Sequence, residues 1–239
     1  MDHKRKLIGG AGFLAATILC CGFVSQSFFG SAVPMVSSGG TILEWLFSEG
    51  TGSVIHDTSG NGNNGSTSGT WQTVVGVPCL SFLGDGDYAL SSNSVNYSGA
   101  NILTLDFSIY ADDWTMGTSE NILLSSPATG GAAGGWWLGQ STSGYIICTI
   151  RDAGTNYQQW SSASVPSTGT WHHMQIVLNE TNGSVAMYID SGGNQGNNEG
   201  GAWHLTTTFS TQTFWVSNGG SAIFSIRDLY VNVGDTHTL

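Results

Sequence analysis

A short loop rich in aspartate, asparagine and glycine carries the side chains that calcium prefers. Residues 57–65 read Asp-Thr-Ser-Gly-Asn-Gly-Asn-Asn-Gly, so Asp57, Ser59 and Asn61 alternate ahead of a glycine. This spacing is close to the first half of a calcium loop, in which oxygen ligands alternate before a glycine. An EF-hand would end in a bidentate glutamate where this chain has Ser68, so further ligands must come from elsewhere. The alternative is that Asp57 only accepts hydrogen bonds from amides of its own turn.

Nine tryptophans give the chain a second kind of binding chemistry. Indole rings stack on the apolar faces of sugars, while neutral polar side chains bond the sugar hydroxyls. The aromatics expected to bind sugar flank glycine-rich or polar segments: Trp136, Trp137, Tyr157, Trp160 and Trp203. Four others fall in predicted strands and are assigned to the core: Trp45, Trp71, Trp171 and Trp215. The alternative for the first group is that its rings pack inward and anchor loops.

No combination of residues that is typical of catalysis is visible in the chain. A glycan hydrolase on a β-sandwich needs paired carboxylates, and no predicted strand carries the E-x-D-x-x-E pattern that supplies them. His172 and His173 are adjacent in a predicted strand, so their side chains must point to opposite faces. We expect a binding protein, with a glycan-active enzyme as the less favoured alternative.

Charged residues are scarce, at 9% of the chain, and the net charge is −11. Three of the five cations are Lys4, Arg5 and Lys6, and only Arg151 and Arg227 follow them. Nucleic acid and anionic lipid surfaces require clustered cations, so the body of the chain is not expected to bind either. Uncharged polar and aromatic loops instead favour a neutral glycan or polysaccharide as the partner.

The N-terminal segment, residues 1–36, is typical of a signal peptide or a membrane anchor helix. Three cations precede an uncharged stretch whose apolar part, residues 7–29, reaches a membrane-spanning length. Either the segment is cleaved near Ala32, or it remains as a membrane helix that could also mediate homo-oligomer formation. A buried core helix is a third, less favoured reading. The first two place residues 1–6 in the cytoplasm and the rest outside it.

Beyond a tether at 37–40, residues 41–239 predict a single all-β domain. Short β-rich runs recur at close intervals between Gly, Ser and Asn turns, a pattern of sandwiches rather than of βαβ units. The predicted strands lie near residues 41–48, 79–82, 87–91, 103–110, 121–126, 136–140, 145–151, 157–162, 171–179, 184–190, 213–217 and 222–233. The glycine-rich stretches at 129–135 and 191–201 are predicted loops.

Four sequence blocks resemble the laminin-G-like, concanavalin-A-like domains. Leu46–Gly65 is similar to the family's opening strand and D-x-S-G-N-G-N-x-G turn, and Leu80–Tyr88 to its next element. Thr168–His173, continuing to Asp190, resembles the G-x-W-x-H strand and its hairpin, and Ile226–Val231 resembles the closing strand. The blocks occur in family order and together span about residues 41–233.

This resemblance implies a two-sheet antiparallel jelly-roll sandwich in which the first and last strands pair. The family mostly supplies carbohydrate- or protein-binding modules, often with calcium. Pairing of the terminal strands would bring Glu49 and Asp228 toward Asp57 and Asn61, which completes the expected Ca²⁺ ligands. Fold alone does not fix function.

The body contains two cysteines, Cys79 and Cys148. Outside the cytoplasm they could form a disulfide, and the alternative is that both are free core thiols.

Two functions from different classes remain open at this point. The first is an extracytoplasmic, lectin-like adhesion or recognition module that binds a neutral glycan with calcium. The alternative is a structural surface protein of a virion, pilus or envelope, with its N-terminal helix embedded in a membrane or filament core.

Overall fold

A computed structural model describes residues 40–84, 86–97, 100–114, 121–126, 135–151, 157–179, 184–190, 192, 196–198, 211–217 and 223–234. The expected N-terminal helix and Trp203 lie outside these ranges. Every regular element within them is a β-strand. None of the residues in these ranges belongs to a helix long and apolar enough to cross a membrane.

The eighteen strands are β1 Gly40–Trp45, β2 Val54–Ile55, β3 Gly65–Thr67, β4 Thr70–Val74, β5 Val77–Phe82, β6 Ala89–Ser91, β7 Val95–Asn96, β8 Ile102–Tyr110, β9 Asn121–Ser126, β10 Gly135–Gln140, β11 Ile146–Arg151, β12 Tyr157–Ser162, β13 Trp171–Asn179, β14 Ser184–Ile189, β15 Gly196–Asn198, β16 Thr211–Gln212, β17 Trp215–Val216 and β18 Phe224–Val233.

Two antiparallel sheets enclose one hydrophobic core. The seven-stranded sheet has the order β14-β13-β8-β18-β5-β4, with β1 also paired to β18. The nine-stranded sheet has the order β15-β12-β11-β10-β9-β17-β6-β3-β2, and β7 with β16 forms a separate pair. The prediction of an all-β, two-sheet antiparallel sandwich is confirmed.

The first and last strands pair, as the resemblance implied. β1 runs antiparallel to the second half of β18, from Gly40 opposite Val233 to Trp45 opposite Leu229. The first residues of β18 pair instead with β5, so this ten-residue strand pairs with β5 along its first part and with β1 along its second.

Alternation along the central strands sorts apolar and polar side chains onto opposite faces. In β8 the inward set is Leu103, Leu105, Phe107 and Ile109, all fully buried in the core. The residues between them, Thr104, Asp106, Ser108 and Tyr110, belong to the outward face because successive strand side chains point in opposite directions. Each sheet therefore presents a distinct outward face on which a ligand could bind.

Six short strands lie outside the predicted strand ranges, although Trp71 of β4 was itself assigned to a strand. These are β2, β3, β4, β7, β15 and β16, and β15 lies within the stretch predicted as a loop at 191–201. Most have only two or three residues, several of them Gly, Asn, Ser or Thr, so their own pattern carries little strand signal. They form strands because their backbones pair with neighbouring strands.

The two body cysteines are free and buried rather than bridged. Cys79 lies in β5 of the seven-stranded sheet, whereas Cys148 lies in β11 of the nine-stranded sheet. The disulfide expectation is therefore wrong and the core alternative is correct. Complete burial raises the pKa of the Cys148 thiol to about 12, which suppresses its thiolate at neutral pH.

Candidate functional site

The Asp57 loop is a structural clamp on the edge of β1. The Asp57 carboxylate accepts hydrogen bonds from three backbone amides: Glu44 at 2.9 Å, Ser59 at 3.0 Å and Asn63 at 2.7 Å. Burial acts to raise the pKa of Asp57, but these bonds together with one to the Ser59 side chain lower it. The carboxylate is therefore used within the protein, as the turn alternative predicted.

The expected calcium ligands do not come together. Asn61 donates through its side-chain amide to the Thr41 carbonyl at 2.8 Å, and Glu49 accepts the His56 amide at 2.8 Å. Asp228 instead pairs with the neighbouring Arg227. Across the described parts of the chain, no group of three His, Cys, Asp or Glu residues is arranged to hold a metal ion. The loop's polar groups instead bond backbone atoms of the loop and of β1.

Two of the tryptophans expected to bind sugar are core residues. Trp136 is 1% exposed and Trp160 is 3% exposed, and Trp136 packs with its ring centroid 5.9 Å from that of Phe214. The expectation of an accessible stacking surface is wrong for both. The rings follow the inward-facing alternation of β10 and β12, and the alternative of packed anchors holds.

The remaining expected aromatics divide into one that faces outward and two that lie outside the description. Trp137 follows Trp136 in β10, so it points away from the core, and it is half-buried. Tyr157 begins β12, but its side chain is outside the described part of the structure, as is all of Trp203.

Trp137 belongs to a line of residues that crosses the outward face of the nine-stranded sheet. Strand registers place one residue from each of eight strands directly opposite the next. We call this line the Trp137 row; its members are Val54, Ser66, Leu90, Trp215, Ser125, Trp137, Thr149 and Gln159. None belongs to the hydrophobic core, and none is charged. The row therefore offers aromatic and neutral polar groups on a single face.

Trp215 was expected in the core, but it lies on the outward face and is half-buried. Its partner across the pairing is Ser125, which in turn faces Trp137, so a single strand separates the two indoles. Tyr88 meets the edge of Trp215 with a ring-centroid distance of 6.2 Å, an arrangement that restricts the orientation of the indole. The row thus presents two tryptophans on the same face of the sheet, and one of them contacts Tyr88.

Two hydroxyl groups beside Trp137 are buried without a hydrogen-bond partner. Ser125 is 2% exposed and Thr149 is 1% exposed, and the side-chain oxygen of each lacks a partner. They flank Trp137 on the neighbouring strands β9 and β11. A buried hydroxyl that forms no hydrogen bond costs about 1–3 kcal/mol, so this local arrangement is unfavourable unless another molecule supplies partners.

Four tryptophans use their indole N–H groups within the protein, whereas the buried indole N–H of the core residue Trp136 has no partner. Four indoles each donate to a backbone carbonyl at 2.7–3.2 Å: those of Trp45, Trp71, Trp114 and Trp171. The described part of the chain supplies no such acceptor to Trp137 or Trp215.

Gly139 removes a potential obstacle next to Trp137. It lies two residues further along β10 and therefore on the same face, so no side chain stands beside the indole at this position. A Cβ atom there would lie 2.6 Å from the Asn121 carbonyl oxygen, where the pairing of β9 with β10 shifts register. Close backbone approach thus requires glycine at this position.

The outward face of the seven-stranded sheet has a different chemistry. We call it the Asp106 face, after the carboxylate at its centre. Asp106 accepts from Gln175 at 3.2 Å and lies 2.8 Å from Nε2 of His173. The hydrogen bond to Asp106 raises the pKa of His173, against the effect of burial.

Other polar groups of the Asp106 face also bond to one another. Ser81 and Ser225 lie 2.6 Å apart, and Thr41 donates to Asn232 at 2.8 Å. The Thr104 hydroxyl and the side-chain oxygen of Gln175 are exceptions, since each of these two atoms is buried without a partner. Most of this face is therefore a closed network, which favours a structural role.

The adjacent histidines point to opposite faces, as predicted. His172 is buried against Asp190 at 2.6 Å and packs near Trp114, whereas His173 faces Asp106. Asp190 also accepts the backbone amide of His173 at 3.0 Å and has a positive φ of 52°. The pair anchors the β13–β14 hairpin.

No protein-family model and no curated protein matches this chain. Solved structures of similar fold include receptor-binding domains of botulinum neurotoxins. A type C domain, from a study in which cell entry depends on two ganglioside molecules, is 15% identical with a TM-score of 0.61. Serotype DC domains in complex with rat synaptotagmin II and with SialylT are 15% and 16% identical, with TM-scores of 0.63 and 0.62. In all three, 83% of this chain matches 49% of the neurotoxin domain, so the chain spans about half their length.

This likeness establishes the β-sandwich fold and does not identify a binding site. Sequence reasoning found Trp137 but missed Trp215, Ser125 and Thr149. The available signal was the Trp136–Trp137 pair, because adjacent strand residues must face opposite ways and one indole must therefore point outward.

Proposed function

We propose that this protein is an extracytoplasmic carbohydrate-binding module of concanavalin-A-like, jelly-roll type that binds neutral glycan through the Trp137 row. The observation that carries the proposal is the pair of half-buried indoles, Trp137 and Trp215, on one outward face. Sugar rings present apolar C–H faces that pack on indole, and their hydroxyls need donors and acceptors at the rim.

The polar members of the row support a ligand rich in hydroxyl groups. Ser125 and Thr149 lack hydrogen-bond partners, and the indole N–H groups of Trp137 and Trp215 have no acceptor in the described residues. Once either indole shifts, a polyhydroxylated ligand can donate to and accept from the two hydroxyls, and it can accept from the two indole N–H groups. A purely apolar ligand would leave the buried hydroxyls unsatisfied, at a continuing cost.

The absence of charge from the row favours a neutral sugar over an anionic one. The cation of β11, Arg151, belongs to a different register line, with Gly135 and Tyr157. A net charge of −11 further disfavours binding of acidic glycans through long-range electrostatics. The Asp57 carboxylate, which was expected to bind calcium, accepts backbone amides instead.

The neurotoxin domains add limited support. Cell entry of the type C neurotoxin depends on interaction with ganglioside molecules, and a serotype DC domain forms a complex with SialylT, so receptor-binding domains that include this fold do bind glycans. Because this chain matches only about half of each domain, the likeness does not assign a glycan site within the matching half. The Trp137 row carries that assignment.

A glycan array probed with the full chain in mild detergent tests the function. We expect neutral glycans to bind the wild type, and Trp137→Ala to lose this binding. Tyr188→Ala is the matched control, because Tyr188 is a half-buried aromatic on the other sheet, opposite Gln175. Binding that survives Trp137→Ala unchanged, or that is confined to sialylated glycans, would contradict the proposal.

We further propose that residues 1–36 hold the module at, or export it across, a membrane. The three N-terminal cations and the apolar stretch at 7–29 support this placement. Mass spectrometry of the native N-terminus separates the alternatives: a chain that begins near Val33 indicates cleavage after Ala32, and one that retains residues 7–29 indicates an anchor.

A further inference from the structure

The spacing of the two row tryptophans defines a ligand length. Trp137 in β10 and Trp215 in β17 are both directly opposite Ser125 in β9. Neighbouring strands lie about 4.8 Å apart, so two spacings place the indole attachment points roughly 10 Å apart across the sheet. This separation is close to the repeat of a two-fold β-1,4-linked hexose chain, in which every second sugar presents the same face.

The residue between the two indoles is small. Ser125 contributes only a small side chain between the two rings, and this side chain is 2% exposed, so a ligand reaches it only if an indole shifts. In a two-fold chain the intervening sugar is inverted relative to its neighbours and would lie over this serine. Its hydroxyl groups would then be available to the Ser125 oxygen, which has no partner within the protein.

The row continues beyond the tryptophans on both sides. On one side it passes through Leu90 and Ser66 to Val54, which is 48% exposed, and on the other through Thr149 to Gln159. The eight strands of the row cover roughly 34 Å at the usual spacing, much more than one sugar requires.

We propose that the Trp137 row binds an internal stretch of an extended, neutral β-1,4-linked polysaccharide of the cellulose, mannan or chitin type. The polysaccharide runs across the strands, with alternate sugars stacked on Trp137 and Trp215. This inference rests on the proposed function and adds the linkage, direction and minimum length of the ligand. Contact with both indoles requires three consecutive sugars, whereas a disaccharide reaches only one.

Titration calorimetry of the full chain with cello-, manno- and chito-oligosaccharides of two to six sugars tests the inference. We expect at least one series to show an affinity increase of tenfold or more between two and four sugars, followed by a plateau. Maltohexaose, which has the glucose units of cellohexaose in a coiled α-1,4-linked chain, is the matched ligand control and should show no such increase.

Variants connect the length dependence to the two rings. Trp137→Ala and Trp215→Ala should each reduce the affinity of the hexasaccharide to about that of the disaccharide, while Tyr188→Ala should leave it unchanged. Binding to neutral glycans that needs Trp137 but does not depend on chain length would overturn this inference and leave the proposed function standing. Failure of every neutral glycan, long or short, would overturn both.

Discussion

The two outward faces of the sandwich differ in how their polar and aromatic groups are arranged. On the seven-stranded sheet, Asp106 bonds both His173 and Gln175, and Ser81 bonds Ser225. On the nine-stranded sheet, the Ser125 and Thr149 hydroxyls have no hydrogen-bond partners, and two half-buried indoles lie beside them. A face whose hydrogen bonds close on themselves contributes to folding, whereas a face with unused groups is suited to a ligand. Substitutions on the two faces should therefore separate stability from binding.

The largest expected effect is on binding, from the double variant Trp137→Ala/Trp215→Ala. Each stacking contact should contribute about 0.5–1.5 kcal/mol beyond the apolar area it buries, so the pair should lower glycan affinity by about a hundredfold or more. Because both rings are half-exposed and outside the core, the free energy of unfolding should fall by about 1 kcal/mol or less per ring. Calorimetric titration and urea denaturation measure the two quantities. An equally large loss of stability would break the contrast between the faces.

The reciprocal variant is Asp106→Ala on the Asp106 face. Its removal leaves the buried Gln175 amide and the His173 ring without their acceptor, so unfolding free energy should fall by about 2–3 kcal/mol. Glycan affinity should not change. Asp112→Ala is the control, since the exposed Asp112 bonds only the Tyr110 hydroxyl at the surface and should cost about 0.5 kcal/mol or less. A weaker glycan affinity in Asp106→Ala would indicate that the ligand binds the seven-stranded sheet, which contradicts the proposal.

The contribution of His173 should depend on pH in a defined direction. Its hydrogen bond to Asp106 raises the pKa of His173 in the folded state. The resulting stability is fully present below the unfolded pKa of about 6.5 and is lost as pH rises through the folded pKa. The difference in unfolding free energy between wild type and His173→Gln should therefore be largest near pH 6 and shrink toward pH 9. A difference that grows with pH would contradict the assignment.

The smallest effects come from removing hydroxyls that lack partners. Thr149→Val and Ser125→Ala should leave stability unchanged or raise it by up to about 1 kcal/mol, since each removes a buried group without a partner. Both should weaken glycan binding severalfold if the ligand bonds these oxygens. Thr104→Val is the matched control on the other face, because it should have the same effect on stability and none on binding. If all three variants bind glycan as tightly as the wild type, the Ser125 and Thr149 hydroxyls do not contribute to binding.

The sequence predicted the architecture better than the site. Long alternating strands such as β8 and β13 specify their own faces, and four family-like blocks located the terminal pairing. The sequence Gly-Trp-Trp-Leu-Gly-Gln of β10 is apolar on both faces, so its pattern does not reveal which indole points inward. That choice depends on packing against Phe214, which is distant in the chain.

The other site residues depend on register between strands that are far apart in sequence. Ser125 and Thr149 resemble any other strand hydroxyls until β9 and β11 place them beside Trp137. The Asp57 loop shows a different limit of the sequence. The same loop residues are compatible with an aspartate that binds calcium and with one that accepts hydrogen bonds within a turn. Only the hydrogen bonds from Glu44 and Asn63 distinguish the two.

The most direct measurement is the nuclear magnetic resonance spectrum of the indole N–H groups in the ¹⁵N-labelled full chain. Cellohexaose, mannohexaose and chitohexaose would be added in turn. The Trp137 and Trp215 signals should shift with the hexasaccharide that binds. The signals of Trp45, Trp71, Trp114 and Trp171, whose N–H groups bond backbone carbonyls, should stay in place. Shifts at Trp171 or Trp71 without shifts at Trp137 and Trp215 would contradict a binding site on the nine-stranded sheet.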